Sequence, residues 1–434
     1  MNRGSKRRLS SSASFWPAPS IRRGDADRIA LLTTAWPTAP ADRAIVLHTR
    51  VVTGAGGGPD KTILLSPRWL ANERYWVAAA LFHPPHDRRF DVLRARAATV
   101  SCPLIGLADR GPLDLRLVRD LLSLCRHLRV NIWHAHDYKS NLIGLLLRPF
   151  HQMQLVTTVH GWVQHTARTR LYFPIDRFCL KRYDRVICVS DDLLGRARGL
   201  GLNEEKCVLL HNAVDETEFR RAYGQSASPL RAKYQVPPDR AVVGAIGRLS
   251  PEKGFAVLLA AMASLVADGL DFELWIAGEG ERRAFLERLV ETNGLRQRVR
   301  FLGYLPDLIE LYHALDLFVL SSVREGLPNV LLEAMALEVP VVATSVAGVP
   351  GLVQDGRTGI LCPPGDPYKL ARAIYRLLGD VALRKRLAAA GRALIESQYT
   401  LRQRMTQERA LYDQLLGARA WRPVGNDDHT MPAA

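Results

Sequence analysis

The stretch Val242-Val243-Gly244-Ala245-Ile246-Gly247-Arg248-Leu249-Ser250-Pro251-Glu252-Lys253-Gly254-Phe255 reads, in order, as a buried strand, a polar loop and the start of a helix. Residues 242–246 form a strand-sized apolar run, and Ser250 and Pro251 suit a helix entry. The same rhythm runs in both directions. Downstream come a strand over 272–277, a helix from Arg282, a strand over 299–302, a short helix near Leu308, a strand over 317–320, a helix opening at Pro328 and a strand over 339–343. Upstream, strands are expected over 45–51, 75–81, 131–134, 155–159, 186–189 and 208–210, with amphipathic helices such as 113–128 between them. Strands that alternate with helices predict parallel sheets covered on both faces. A polar stretch from Tyr223 to Arg240, ending in Pro237-Pro238, divides the two series. The expected organisation is a disordered Ser- and Arg-rich tail over 1–43, a Rossmann-like domain over 44–215, a linker over 216–240, a second Rossmann-like domain over 241–395, a helix over 396–418 crossing back to the first domain, and a tail over 419–434.

A chain of 434 residues is too long for one ordinary core. Its 47% apolar and 24% charged content suits a soluble globular protein, and no apolar run approaches the roughly 18 residues of a membrane-spanning helix. The six cysteines are scattered without metal or redox spacing, which points to buried thiols in a reducing compartment, the cytoplasm. Against 43 Asp and Glu stand 59 Lys and Arg, a net charge of +16. Such an excess suits phosphorylated substrates, an anionic membrane surface, or simply a solvated arginine-rich surface. No nucleic-acid reading motif accompanies it, so nucleic acid is not an expected partner.

The segment Arg324-Glu325-Gly326-Leu327-Pro328-Asn329-Val330-Leu331-Leu332-Glu333 carries the densest chemistry. Pro328 marks a helix's first turn, with Glu325 just before it and Glu333 in the second turn. The unpaired N–H groups at that helix end favour an anion. Leu331, Leu332, Ala334 and Met335 make the helix apolar nearly all round, so an ionised Glu333 needs a partner. Two carboxylates beside an anion site suit a ligand both phosphorylated and rich in hydroxyls. Arg248 offers a planar fork for phosphate and Lys253 a point charge, enough to balance a diphosphate without a metal. Gly54-Ala55-Gly56-Gly57-Gly58-Pro59 follows the first strand and allows close backbone approach, although it is neither a dinucleotide nor a phosphate-loop fingerprint. His160 ends the strand Thr157-Thr158-Val159 towards the same side, either as a site residue or in a structural role. Gly278-Glu279-Gly280 also follows a strand and would border a phosphate. His134 and His136 flank Ala135, but no third ligand stands at a telling spacing and no metal is expected. Asp25 and Asp27 lie in the tail and are discounted.

These segments together resemble the retaining glycosyltransferases of family 4, which have the GT-B fold. The resemblance is strongest over residues 240 to 380 and rests on Gly247-Arg248 with Lys253-Gly254, Phe301-Leu302-Gly303-Tyr304, the Glu325 to Glu333 segment, and Gly359-Ile360-Leu361. It implies an α/β fold of two Rossmann-like domains facing across a cleft. It further implies that Gly247, Arg248 and Lys253 hold a donor diphosphate, Glu333 the ribose, and Glu325 with the Gly326 and Leu327 backbone the transferred sugar. Tyr304 and Leu305 would border the base, His160 would face the sugar, and Gly57 and Gly58 would line the cleft near the acceptor. On this reading Glu325, His160, Arg248 and Lys253 form the catalytic set. One departure stands out: where the family often carries a second Gly after an aromatic, this chain has Leu327-Pro328. The Gly57 to Thr62 segment is similar to enzymes of bacterial surface-polysaccharide assembly.

The expected activity is hexosyl transfer, with retention, from a nucleotide-diphosphate sugar to a hydroxyl of a glycan or lipid-linked acceptor. No cofactor and no metal are expected. The expected place is the cytoplasm, at the inner face of an anionic membrane, with the basic and aromatic segment from Arg168 to Arg185 as either a surface patch or a core helix. A sugar-nucleotide epimerase, which needs no acceptor, and a catalytically silent sugar-nucleotide-binding partner are the alternatives.

Overall fold

In the computed structural model the chain separates into a short unit, Met1–Thr38, and a large one, Ala39–Ala434, which holds every element named below. Residues 36–161, 167–221 and 228–417 are described, with only the backbone for 167–172. Asp25, Asp27, most of the tail expected over 1–43, the whole tail over 419–434 and the side chains at 168–172 lie outside the described residues. Phe178, from the expected surface patch, is 52% exposed beneath the Arg182 guanidinium.

Thirteen strands are described: β1 Ala44–Val51, β2 Tyr75–His83, β3 Leu104–Ala108, β4 Val130–Ala135, β5 Gln154–Val159, β6 Arg185–Cys188, β7 Cys207–Leu209, β8 Ala241–Ile246, β9 Phe272–Ala277, β10 Val299–Gly303, β11 Leu317–Leu320, β12 Val341–Thr344 and β13 Ile360–Cys362. They form a seven-stranded sheet, ordered β3-β2-β1-β4-β5-β6-β7, and a six-stranded one, ordered β10-β9-β8-β11-β12-β13. Every pairing is parallel. The sequence did not reveal β3 or β13. The first is five residues with Gly106 at its centre and the second is three residues, both too short for periodicity to register. Both sheets grow outward from their first strand, so strand order reverses between β1 and β4 and again between β8 and β11. Loops leaving neighbouring strands on opposite sides of such a reversal part, and a crevice opens at the carboxyl edge.

The chain passes between the sheets twice, and the two passages are bonded to each other. Val214 N–H donates to Tyr399 O at 3.0 Å, and Leu401 N–H donates to Val214 O at 2.8 Å. The helix Val381–Gln398 packs against the helix Asn329–Ala336 of the second sheet's domain. It ends at Tyr399. Thr400 then caps a new helix, Leu401–Leu416, by accepting the Gln403 N–H at 3.2 Å. The returning helix thus starts five residues later than the 396 expected, at a cap the sequence marks only with a single Thr. Leu401, Met405, Leu411 and Tyr412 join Val46, Val77, Ile132 and Val156 in the core of the first sheet.

Two arginines clamp these passages. Arg404 donates to the carbonyls of Leu210 and His211, at 2.8 and 2.5 Å, from a fully buried position beside Glu408. Arg392 donates to the carbonyls of Phe219 and Ala336 at 2.6 Å and of Glu216 at 3.1 Å. No helix among the described residues is long and apolar enough to cross a membrane. Breaking a buried ion pair from one side leaves the other charge uncompensated. Arg404→Leu is therefore expected to destabilise the fold by about 3–5 kcal/mol; equilibrium urea unfolding with an unchanged midpoint would show that Arg404 carries no such load.

Candidate functional site

The loops at the facing carboxyl edges enclose one cavity of about 760 Å³, within the range of small-ligand sites. Gly57, Gly58 and His160 line it from the first sheet. Gly247, Arg248, Lys253, Tyr304, Leu305, Glu325, Gly326, Leu327 and Glu333 line it from the second. Residues separated by up to 276 positions in sequence therefore meet because each follows a parallel strand (333 − 57 = 276). Gly278 and Gly280 border the same space, and at Gly278 the backbone itself demands glycine: φ is +136° and a Cβ would stand 1.9 Å from Gly247 O.

The helix Asn329–Ala336 supplies the site's most constrained carboxylate. Pro328 is its N-cap, with extended backbone, so the helix begins one residue later than Pro328 suggested and still points its N-terminus at the cavity through Pro328, Asn329 and Val330. Glu333 is 3% exposed among Leu331, Leu332, Ala334 and Met335. Its two oxygens have separate partners: Lys61 Nζ donates to Oε1 at 2.7 Å, and Tyr312 Oη donates to Oε2 at 3.0 Å. Glu325 is bound through one oxygen, Oε1, which accepts from Lys253 Nζ at 2.7 Å and from Ser322 Oγ at 2.5 Å. Arg248 is half-exposed and pairs with Glu252 at 2.8 Å. A carboxylate offers about four lone-pair directions, so both glutamates keep acceptor capacity for ligand hydroxyls.

Several contacts join the two sides of the cavity directly. Lys61 to Glu333 is one, since Lys61 belongs to the helix Gly58–Leu70 of the first domain. Asn329 Nδ2 donates to Gly58 O at 3.0 Å, Asn212 Nδ2 to Leu327 O at 2.7 Å, and Arg89 pairs with Glu279 at 2.6 Å. Gly326 lies so close to the first domain that a Cβ there would come within 2.4 Å of His160 O. The glycine loop is braced from behind, where Asp60 accepts the Gly57 N–H at 2.6 Å and pairs with Arg50 at 3.1 Å.

The family described as Glycosyltransferase Family 4 matches residues 29–218, and the family described as Glycosyl transferases group 1 matches residues 240–380. Each half of the chain thus matches a glycosyltransferase family model. The chain is 33% identical over 228 residues to the lipopolysaccharide core biosynthesis glycosyltransferase LpsE of Rhizobium meliloti (strain 1021), a match covering 52% of this chain and 64% of that protein. It is 39% identical over 191 residues to the alpha-D-kanosaminyltransferase of Streptomyces kanamyceticus, covering 43% of this chain and 47% of that one. The chain thus spans less than two thirds of either relative. Among solved structures, Anabaena Alr3699/HepE in complex with UDP superposes with a TM-score of 0.71 at 21% identity, covering 86% of this chain and 100% of that one. That likeness speaks for the fold, two parallel-sheet domains of GT-B type.

Behind the cavity lies a cluster the sequence half revealed. His134 and His136 are joined by His48, which β1 sets in register beside His134, and one ring nitrogen from each lies within 4.8 Å of the others. The third imidazole was hidden because it comes from a strand 86 residues away (134 − 48 = 86). The geometry is that of hydrogen-bonded imidazoles. His48 Nδ1 stands 2.9 Å from His136 Nε2, and His136 Nδ1 stands 3.0 Å from His160 Nε2. Both His134 nitrogens are engaged, Nδ1 with Tyr412 Oη at 2.6 Å and Nε2 with Thr158 Oγ1 at 2.7 Å. Burial, aided by the Arg404 charge, pushes His48 down to about 3. His134 and His136 are likewise held well below the usual histidine range, by burial first and then by neighbouring imidazoles and arginines, and His160 by burial and then by Arg50 and Arg404.

Lys61, Tyr312, Asn212, Asn329 and His48 all make contacts in or behind the site. Lys61 and Asn329 lie within segments quoted above for other residues, and nothing in the sequence marks the partner of any of the five. Two measurements follow. A double-mutant cycle of Lys61→Met and Glu333→Gln is expected to return a coupling of about 0.5–3 kcal/mol in unfolding free energy; additivity would mean the bridge does not form in solution. The imidazoles give a pH signature. A base with a depressed folded pKa binds a proton more readily when unfolded, so its stabilisation is complete above the unfolded value and drains as pH falls towards the folded one. For His48 that window runs from 6.5 to about 3. Urea unfolding at pH 5 rather than pH 7 should cost about 2 kcal/mol from His48 alone, and equal stability at both would contradict its burial as a neutral ring.

Proposed function

We propose that this protein transfers a hexosyl group from a nucleotide-diphosphate sugar to an acceptor hydroxyl, with retention at the anomeric carbon. The observation that carries the reading is the single cavity in which a buried helix carboxylate, a loop carboxylate, a helix N-terminus and two strand-following cations converge. Arg248 and Lys253 hold the diphosphate. Glu333 accepts from the ribose hydroxyls, on lone pairs left over from Lys61 and Tyr312. Glu325 accepts from the transferred sugar beside the Gly326 and Leu327 backbone. Tyr304 and Leu305 border the base, His160 meets the sugar from the opposite side, and Gly57 and Gly58 leave room for the acceptor.

Chemically, the anomeric C–O bond to the diphosphate breaks with its electron pair going to phosphate. The acceptor oxygen forms its bond on the same face, and its proton passes to the departing phosphate oxygen. The protein's part is positioning and charge stabilisation. A charge pair near 4 Å is worth roughly 4 kcal/mol at an effective dielectric of about 20, so two cations on a leaving diphosphate are a large share of the barrier. The acceptor class is a hydroxyl of a growing surface glycan, free or lipid-linked, in keeping with the lipopolysaccharide core role named for LpsE.

Arg248→Ala is expected to lower transfer by about 10²–10³-fold with an unchanged thermal unfolding curve. Product NMR with an α-linked donor should give an α-linkage. Undiminished turnover would remove Arg248 from the reaction, and a β-linked product would rule out retention.

A further inference from the structure

Two histidines that the transfer reaction leaves unused, His48 and His136, form one line of hydrogen bonds with His160 that ends at the cavity. The line runs His160, His136, His48, through contacts of 3.0 and 2.9 Å. Its two outermost nitrogens, His160 Nδ1 and His48 Nε2, are buried and have no hydrogen-bond partner among the described residues. His160 lines the cavity, whereas His48 lies at 1% exposure within the sheet. Since His160 Nε2 is committed to His136, only Nδ1 remains to meet a ligand.

Three neutral rings carry three N–H protons, and the two hydrogen bonds consume one each. The line therefore has two possible directions. If every Nε2 bears the hydrogen, His160 shows the cavity a bare lone pair, and His48 buries an N–H that nothing accepts. If every Nδ1 bears it, His48 ends in a lone pair, and the unspent N–H is on His160, the member of the line that belongs to the cavity lining. Orphaned buried N–H groups are rarer and costlier than under-used acceptors. The second direction puts the spare donor on the cavity-lining histidine rather than inside the sheet. The Arg404 cation bears on both ends of the line, on His48 and on His160, with its own charge met by Glu408 at 3.7 Å. Arg50 bears on His160 and His136, with its own charge met by Asp60 at 3.1 Å. His134 stacks on His136 at 4.5 Å and has its own direction fixed. Tyr412 donates to Glu408 at 2.8 Å, so the Tyr412 oxygen accepts from His134 Nδ1.

We propose that His48 and His136 are positioning residues that fix His160 as its Nδ1–H tautomer, so that the first domain presents a neutral hydrogen-bond donor to an oxygen of the transferred sugar. The sugar contact rests on the function proposed above; the tautomer rests on the hydrogen-bond line alone.

The test uses the full chain labelled with ¹⁵N-histidine and its activity with a nucleotide-sugar donor. Long-range ¹H–¹⁵N spectra of the unaltered protein should show Nδ1–H for His48, His136 and His160. Nε2–H on His136 and His160 would overturn the proposal. His48→Leu removes the donor to His136 and should lower kcat about tenfold, the scale of one hydrogen bond, with donor KM nearly unchanged. His48→Asn places an amide N–H near the lost Nδ1 donor and should restore most of kcat. Equal loss in both variants would make His48 a packing residue and sink the relay. Full turnover in His160→Ala would instead overturn the sugar contact, a failure that the spectra separate from failure of the relay.

Discussion

Because all strands within each sheet are parallel, each sheet has one edge from which every strand-following loop departs. An antiparallel sheet would divide these loops between two edges. Here the glycine loop after β1, His160 after β5, the cations after β8, and Glu325 with the Asn329–Ala336 helix after β11 gather without any further device. The reversal of strand order at β1/β4 and β8/β11 then decides where along that edge the space opens.

Electrostatics refines what topology assembles. Each glutamate of the site is met by a lysine, but from different sides: Lys253 shares a domain with Glu325, whereas Lys61 reaches Glu333 from the other domain. A buried carboxylate is costly unless paired, so Glu333 makes the approach of the two domains part of its own solvation. The same cavity wall is backed on the first-domain side by imidazoles kept neutral through burial, which supply hydrogen-bond direction without adding charge to a site already rich in it.

The fold and much of the cavity's lining were legible in the sequence because they are local. A strand, a glycine and a capped helix leave their marks within a dozen residues, and Gly247 to Lys253 and Glu325 to Glu333 are of that kind. What stayed hidden is pairwise and distant. Nothing near Lys61 announces that it meets Glu333, and nothing near His48 announces His136. β3 and β13 were missed for a different reason: five and three residues do not span enough of a period to stand out. The returning helix, expected from 396, begins at Leu401 because the preceding helix runs on to Gln398 and Thr400 caps the new one.

The paired passages at Val214 and Thr400 carry a mechanical meaning. Arg404 fastens the outgoing chain at Leu210 and His211 to the first domain, and Arg392 fastens it at Glu216 and Phe219 to the second. The few residues between these clamps are joined to the returning chain by two hydrogen bonds around the bridge of Val214 with Thr400. The way out of the first domain and the way back into it are thereby made one crossing, held at one place by backbone as well as by side chains.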